Sequence, residues 1–142
     1  MAPAADPPLV PWVSVSLDSD PVAARTARRH VLGLCRNWTP DRRNCAVLLT
    51  SELVTNAQRY GDGGLHLQAS QYSGVLRVVV SDASPRRPIV VEPVMDRPGY
   101  LGGGRGLLVV EGVADRWGVR PRALGKAVWF ELGEAPAPGA SA

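Results

Sequence analysis

Two helical apolar patterns follow each other directly in this chain, and this order limits the folds available to it more than any other feature. The first pattern runs from about residue 21 to 37 and the second from about 41 to 59, separated by Thr39-Pro40-Asp41. One strand pattern, Trp12 to Leu17, precedes them. A doubly wound parallel sheet requires strands and helices in regular alternation, so the consecutive helices argue against it.

The rest of the chain predicts two antiparallel hairpins on either side of a long irregular segment and a third helix. The strand patterns are 65–72 with 75–81, and 116–120 with 126–132, and the third helix runs from 107 to 114. The element order β-α-α-β-β-loop-α-β-β predicts an α+β fold. We expect a two-layer α/β sandwich, with a mixed, mostly antiparallel sheet and the helices on one face.

Apolar periodicity also predicts which side chains form the core. On the helices these are Val22, Ala23, Ala27, His30, Val31, Leu34, Cys45, Leu48, Leu49, Leu53 and Val54. Cys35 and Cys45 are predicted to be buried free thiols within helices, because no Cys/His cluster with metal-ligand spacing is present. Trp117 and Trp129 lie in strand patterns and are predicted to be core residues.

The length of 142 residues fits one domain, which we place at 12–132. Residues 1–11 and 133–142 are rich in proline and alanine and are predicted to be disordered tails. Residues 83–106 have no sustained periodicity, and such an insertion is typical of a functional loop or lid. Neither a signal peptide nor a membrane-length apolar run is evident, so a cytoplasmic protein is expected. The net charge of +3 is spread along the chain, and direct nucleic-acid binding is not expected.

Glu52 and Asn56 are the two unusual polar residues of the second helical pattern. They are four residues apart, which places them on one face of a helix, about one turn from each other. A carboxylate and a carboxamide in this arrangement can hold a metal ion beside a polarised hydroxyl group. A solvated helix face is the alternative interpretation of this pair taken alone.

Two further segments could supply a nucleotide to that helix. Asp82 ends a valine-rich strand pattern, where a carboxylate can accept a hydrogen bond from an exocyclic amine such as that of adenine. Residues 101–107 (LGGGRGL) end the long loop and open a helix, so their glycines and free N–H groups suit a phosphate, and Arg105 adds charge. A dinucleotide fingerprint is disfavoured, because that loop directly follows its strand.

These motifs together resemble those of the GHKL (Bergerat-fold) ATP-binding domain. More narrowly, the chain resembles the short anti-sigma-factor serine/threonine kinases common in actinobacteria. The resemblance extends over about residues 12 to 132 and includes four motifs in order. The matching segments are 52–57 (ELVTNA), 82–88 (DASPRRP), 104–107 (GRGL), and 115–118 (DRWG) with 125–130 (GKAVWF).

The resemblance implies a role for each matching residue. Asn56 would ligate Mg2+ that bridges the phosphates of ATP, and Glu52 would act as general base towards an incoming serine hydroxyl. Asp82 would accept the adenine amine. The end of the ATP lid, formed by Gly104, Arg105, Gly106 and Leu107, would contact phosphate. The implied partners are an anti-sigma-factor antagonist and a sigma factor, and the resemblance also implies a homodimer.

Two positions depart from the family pattern. Tyr60 stands where this branch commonly has histidine, and Ala127 stands where a threonine is common, which removes a hydroxyl expected near adenine. A non-catalytic, nucleotide-gated interaction module therefore remains as an alternative. The catalytic domain of a two-component histidine kinase is a weaker third reading, because His30 and His66 are single residues typical of packed or surface positions.

Overall fold

The computed structural model describes residues 11–18, 21–60, 64–82 and 105–135, and these form an α+β fold. The predicted order of elements is confirmed, with boundaries within three residues of those expected. The elements are β1 (Trp12–Leu17), α1 (Ala23–Leu34), α2 (Pro40–Tyr60), β2 (Leu65–Tyr72), β3 (Val75–Asp82), α3 (Arg105–Val113), β4 (Arg116–Pro121) and β5 (Lys126–Gly133). The predicted tails up to residue 10 and from 136, and the irregular segment 83–104, lie outside the described residues.

The strands form a five-stranded sheet in the order β1-β2-β3-β5-β4. Each neighbouring pair in the described sheet is antiparallel, whereas a mixed sheet was expected. The last strand inserts beside β3, where Ser81 pairs with Ala127. This register brings the C-terminal end of β3 next to the first residues of β5, although 44 residues separate Asp82 from Lys126 in sequence.

The core lies between the helices and one face of the sheet. Along β3 and β5 alternate residues are buried, as expected for strands with one covered face. The largest side chains that are fully buried come from both layers: Phe130, Leu49, Leu53, Leu65, Leu67, Leu76, Leu132, Val31, Val54, Val78 and Val80. This arrangement confirms the predicted two-layer sandwich.

The opposite face of the sheet is not covered by the described helices. One residue that was predicted to be in the core lies on this face. Trp129 is half-buried on this open face, where the guanidinium carbon of Arg77 lies 4.5 Å from the centroid of its ring. Arg77 also forms an ion pair with Glu131 at 3.0 Å. Trp117 is partly buried against the core, so the core prediction is correct for Trp117 and wrong for Trp129.

Several helix positions also differ from the predicted inner stripe. Val22 precedes α1 and is 46% exposed, and Leu48 is 42% exposed, because it lies beside the buried face that carries Leu49 and Leu53. The cysteines are free, as predicted, but only Cys35 is buried and it follows the end of α1. Cys45 is half-buried within α2.

Candidate functional site

Helix α2 fixes the positions of Glu52 and Asn56 because its other side is buried in the core. Leu49 and Leu53 are fully buried, which sets the rotation of the helix about its axis. Glu52 is half-buried and Asn56 is only 5% exposed. The predicted pair therefore lies on one helix at the edge of the core, and a fully solvated helix face does not describe it.

Asn56 has a buried polar atom that its surroundings leave unsatisfied. Its Nδ2 atom is inaccessible to solvent and finds no hydrogen-bond partner in the described part of the chain. Buried side-chain polar atoms are normally hydrogen-bonded, so an unpaired N–H donor requires an explanation such as a ligand with an acceptor oxygen. The burial of this carboxamide is a stronger signal than the sequence pattern alone, since an exposed asparagine could have satisfied itself with water.

Asp82, the third predicted site residue, is the last residue of β3 and is also buried. Its carboxylate Oδ2 accepts a hydrogen bond from Lys126 Nζ at 3.1 Å, and the side chains are 2% and 7% exposed respectively. Sequence reasoning missed Lys126. The signal that could have found it is strand alternation, since Val128, Phe130 and Leu132 place residue 126 on the same, core-facing side of β5.

Gly125 allows the turn before β5 to approach Asp82 closely. Its φ angle is +78°, a conformation that favours glycine. A Cβ atom added at this position would lie 2.2 Å from Asp82 Oδ1 and 2.3 Å from the Asp82 carbonyl oxygen. By contrast, Ala127 is buried opposite Ser81, and its methyl group offers no polar contact, so the polar contact to Asp82 comes from Lys126.

The start of α3 coincides with the glycine-rich segment. Arg105, Gly106 and Leu107 form its first turn, and Gly104 lies outside the described residues. The first N–H groups of a helix lack intrahelical acceptors and favour an anion. Helix α2 packs against both α3 and β3. The helix that carries Glu52 and Asn56 therefore contacts both the strand that ends at Asp82 and the helix that begins with the predicted phosphate-binding segment.

The donor set of the described residues fits Mg2+ held together with phosphate. They contain no group of three or more His, Cys, Asp or Glu side chains that could hold a metal ion. Mg2+ usually keeps several waters and takes one or two protein oxygens together with substrate phosphates. A single asparagine oxygen beside a nucleotide is consistent with this type of Mg2+ coordination.

A cavity of about 590 Å3 also borders Asp82, but on a different side of the sheet. It is lined by His66, Gln68 and the β4–β5 turn residues Arg122 to Leu124. His66 faces away from the core and is hydrogen-bonded to Ser14 Oγ at 2.7 Å. None of the described residues that line this cavity belongs to α2. None of the helices in the described ranges is long and apolar enough to cross a membrane.

The histidine kinase-like ATPase domain family matches residues 17–132 of this chain. The chain therefore belongs to that family, and its fold is that of the GHKL ATP-binding domain. No curated protein is similar enough in sequence to match it.

Solved structures with this fold cover most of the chain. The RsbU and RsbW domains of Rv1364c from Mycobacterium tuberculosis align over 87% of it, with 21% identity and a TM-score of 0.65. Full-length ShkA in complex with AMPPNP aligns over 88%, with 20% identity and a TM-score of 0.53. The nucleotide-free catalytic domain of the histidine kinase ThkA aligns over 89%, with 15% identity and a TM-score of 0.52. The chain spans 32% of each of the first two structures and 99% of the third.

Proposed function

We propose that this chain is an ATP-dependent serine/threonine kinase of the anti-sigma-factor type, which phosphorylates a small antagonist protein and holds a sigma factor inactive. The observation that carries the proposal is the position of Glu52 one turn of α2 from the buried carboxamide of Asn56, whose Nδ2 donor has no acceptor among the described residues. Membership of an ATPase domain family supports the nucleotide, and the similarity to a structure that contains an RsbW domain supports the partner-switching role. A protein that acts on sigma factors would work in the cytoplasm.

Each site residue has a distinct role in this proposal. The side-chain oxygen of Asn56 would hold Mg2+, and the ion would supply neutralisation of charge on the ATP phosphates. The Asp82 carboxylate accepts the exocyclic amine of adenine. The N-terminus of α3, with Gly104, Arg105, Gly106 and Leu107, binds phosphate oxygens.

Glu52 distinguishes a kinase from a simple nucleotide binder. Its carboxylate orients the serine or threonine hydroxyl of the partner and accepts its proton, while the hydroxyl oxygen bonds to the γ-phosphorus of ATP. The bond between that phosphorus and the β,γ-bridging oxygen breaks, and ADP leaves. Half-burial on α2 lets Glu52 reach a substrate protein while its backbone stays fixed by the core.

The test is transfer of the γ-phosphate from labelled ATP to a partner captured from the source cell with and without ATP. We expect Glu52→Gln to lower the transfer rate by about 10² to 10⁴-fold, the usual contribution of a general base, with the Kd for ATP unchanged. Asp41→Asn is the matched control, because Asp41 is exposed in the first turn of the same helix. Equal transfer by Glu52→Gln and wild type would remove Glu52 from the mechanism.

The second candidate function is a non-catalytic module in which nucleotide only controls partner binding. Ala127 favours it, because alanine at this position lacks the hydroxyl group that the family commonly has near adenine. Calorimetry with ATP and Mg2+ separates the candidates. ATP binding without transfer to any captured partner supports the module, and no binding at millimolar ATP excludes the kinase.

A further inference from the structure

We propose that Lys126 and Gly125 form a clamp that fixes the Asp82 carboxylate for recognition of the 6-amino group of adenine. Lys126 is thus a positioning residue, which acts on the nucleotide through Asp82. The inference rests on the proposed nucleotide site and adds to it two residues for which the sequence motifs assign no role. The inference starts from the contact between Lys126 and Asp82, which lie on neighbouring strands and are 44 positions apart in sequence.

Lys126 secures one oxygen of the carboxylate. Its Nζ donates to Asp82 Oδ2 at 3.1 Å, with the two side chains 7% and 2% exposed. A lysine is rarely buried so deeply unless it is paired, and the ammonium charge compensates a carboxylate that is removed from water. The charge-assisted hydrogen bond also restricts rotation of the carboxylate about its last side-chain bond.

Gly125 secures the other oxygen by close packing. With its φ of +78°, the backbone at Gly125 approaches so closely that Asp82 Oδ1 lies 2.2 Å from where a Cβ would be. The carboxylate is therefore confined by an ammonium on one oxygen and by main chain on the other. A carboxylate offers about four acceptor sites, so an ammonium group and an amine can bind to the same carboxylate.

A clamp of this kind predicts an effect that depends on the ligand. Lys126 acts through Asp82 on the 6-amino group alone, so its removal weakens binding of ATP but spares purine riboside triphosphate, which lacks that amino group. A lysine that only supports folding would change the affinity for both nucleotides by the same factor. The ratio of the two Kd values therefore separates positioning from structure.

The experiment measures both Kd values by calorimetry with Mg2+, using wild type, Lys126→Met and Lys126→Arg. We expect wild type to prefer ATP by about 10 to 100-fold, the range of one hydrogen bond to a charged group. Lys126→Met is expected to reduce the preference to about threefold or less, and Lys126→Arg to keep most of it. Arg77→Met, which removes a cation from the open face of the sheet, is the control and is expected to keep the wild-type ratio.

Lys126→Met leaves the buried carboxylate of Asp82 without its ammonium partner and could fail to fold. A second variant is used in that case. Lys126→Gln keeps a neutral donor for the Asp82 carboxylate, so it is expected to fold and to lower the ratio below that of wild type. An unchanged ratio in Lys126→Met, or in Lys126→Gln where Lys126→Met does not fold, overturns the clamp and leaves the kinase proposal intact. A raised ratio in Lys126→Met overturns it too, since the lysine would then compete with adenine. Absence of binding of either nucleotide to wild type rejects the proposed function itself, and the clamp with it.

Discussion

Arg42, near the start of α2, donates two hydrogen bonds to the carbonyl oxygen of Gly133 at the end of β5, from Nε at 3.0 Å and from Nη2 at 2.9 Å. The N–H of Gly133 in turn donates to Asp115 Oδ2 at 2.7 Å, and this carboxylate oxygen lies 3.7 Å from Arg42 Nη2. The carbonyl oxygen and the N–H group of Gly133, the last residue of β5, are therefore both hydrogen-bonded. The carbonyl oxygen is bonded by Arg42, which belongs to the helix layer. The site helix is thus tied to the strand that begins with Lys126.

Replacing Arg42 with lysine should weaken this tie, because an ammonium group cannot reproduce the planar, two-pronged contact. We expect Arg42→Lys to lower the free energy of unfolding by about 1–3 kcal/mol, within the range for hydrogen bonds from charged groups. Urea unfolding measures the change, with the m-value unaltered. Arg25→Lys on the exposed side of α1 is the control, expected to stay within about 0.5 kcal/mol of wild type. Equal stability of the two variants would show that the contact to Gly133 contributes nothing.

Gly118 on β4 leaves room for the indole ring of Trp129 on the open face of the sheet. A Cβ atom at this position would lie 2.9 Å from Cζ2 and Nε1 of that ring. Gly118→Ala must therefore displace Trp129 from its contact with Arg77, at an expected cost of about 1–3 kcal/mol in unfolding free energy. Urea unfolding followed by tryptophan fluorescence measures this cost and reports the changed environment of the ring.

Gly33→Ala provides the matched comparison for Gly118→Ala. No atom lies within 4 Å of the position that a Cβ would take at Gly33, and the residue belongs to helix α1. Alanine is the better helix former by about 0.8–1 kcal/mol, so this variant should be more stable than wild type. Two Gly→Ala changes of opposite sign would tie the loss at Gly118 to the Trp129 contact. A loss of stability at Gly33 would contradict this account.

The fold could be predicted from the sequence because periodicity is a local property. Helix and strand patterns between residues 12 and 132 gave elements of the right type in the right order. The error at Trp129 has a physical cause. Its large aromatic ring favours burial, but it lies between Val128 and Phe130, and strand alternation sends it to the opposite face. The rule of alternation was the better guide than side-chain hydrophobicity.

The site could be predicted only in part. Glu52 and Asn56 are one helical turn apart, so their common face follows from sequence spacing. The contact of Asp82 with Lys126 does not follow from sequence spacing, because the pairing of β3 with β5 joins segments that are separated by a long loop and a helix. Lysine is also mostly exposed in proteins, which directs attention away from Lys126. The contact between Lys126 and Asp82 is therefore visible only in the structure.

Cys35 should resist modification in the folded protein. Its side chain is 1% exposed, its Sγ donates to the Val31 carbonyl oxygen at 3.4 Å, and burial raises the pKa of the thiol above 9.0 against a smaller opposing effect of Arg43. In a Cys45→Ser variant, the remaining thiol should react with an aromatic disulfide reagent only when the chain opens. In Cys35→Ser, half-buried Cys45 should react faster. Rapid reaction of Cys35 in the native state would contradict its burial.

The same thiol predicts a pH dependence of stability. Its pKa is higher in the folded state than the unfolded value of 9.0, so the folded state keeps the proton to higher pH. Its contribution to stability is therefore fully present below about pH 9 and is lost as pH rises through the folded pKa. Urea unfolding between pH 7 and 10 should show a smaller decline for Cys35→Ala than for wild type. Identical declines would mean that the thiol does not titrate differently on folding.

The variant Asn56→Leu should affect the intrinsic stability of the fold and the binding of ATP with Mg2+ in different ways. Leucine has a similar volume and removes the buried Nδ2 atom that no described residue satisfies, a defect that usually costs about 1–3 kcal/mol. We therefore expect the unfolding free energy without nucleotide to stay equal or to rise. The stabilisation by ATP with Mg2+, about 2.7 kcal/mol in wild type at a hundred times the Kd, should disappear because the proposed metal ligand is gone.

Thermal unfolding of Asn56→Leu with and without ATP and Mg2+ measures both effects in one series. Thr55→Ala is the control, since Thr55 is exposed on the same turn of α2, and it should keep the full nucleotide-induced shift. The expected combination of equal or higher intrinsic stability with a lost shift is typical of a residue kept for binding. If Asn56→Leu keeps the shift, Asn56 does not hold the metal. If the variant is strongly destabilised without nucleotide, the carboxamide has a partner within the fold, and its burial is structural.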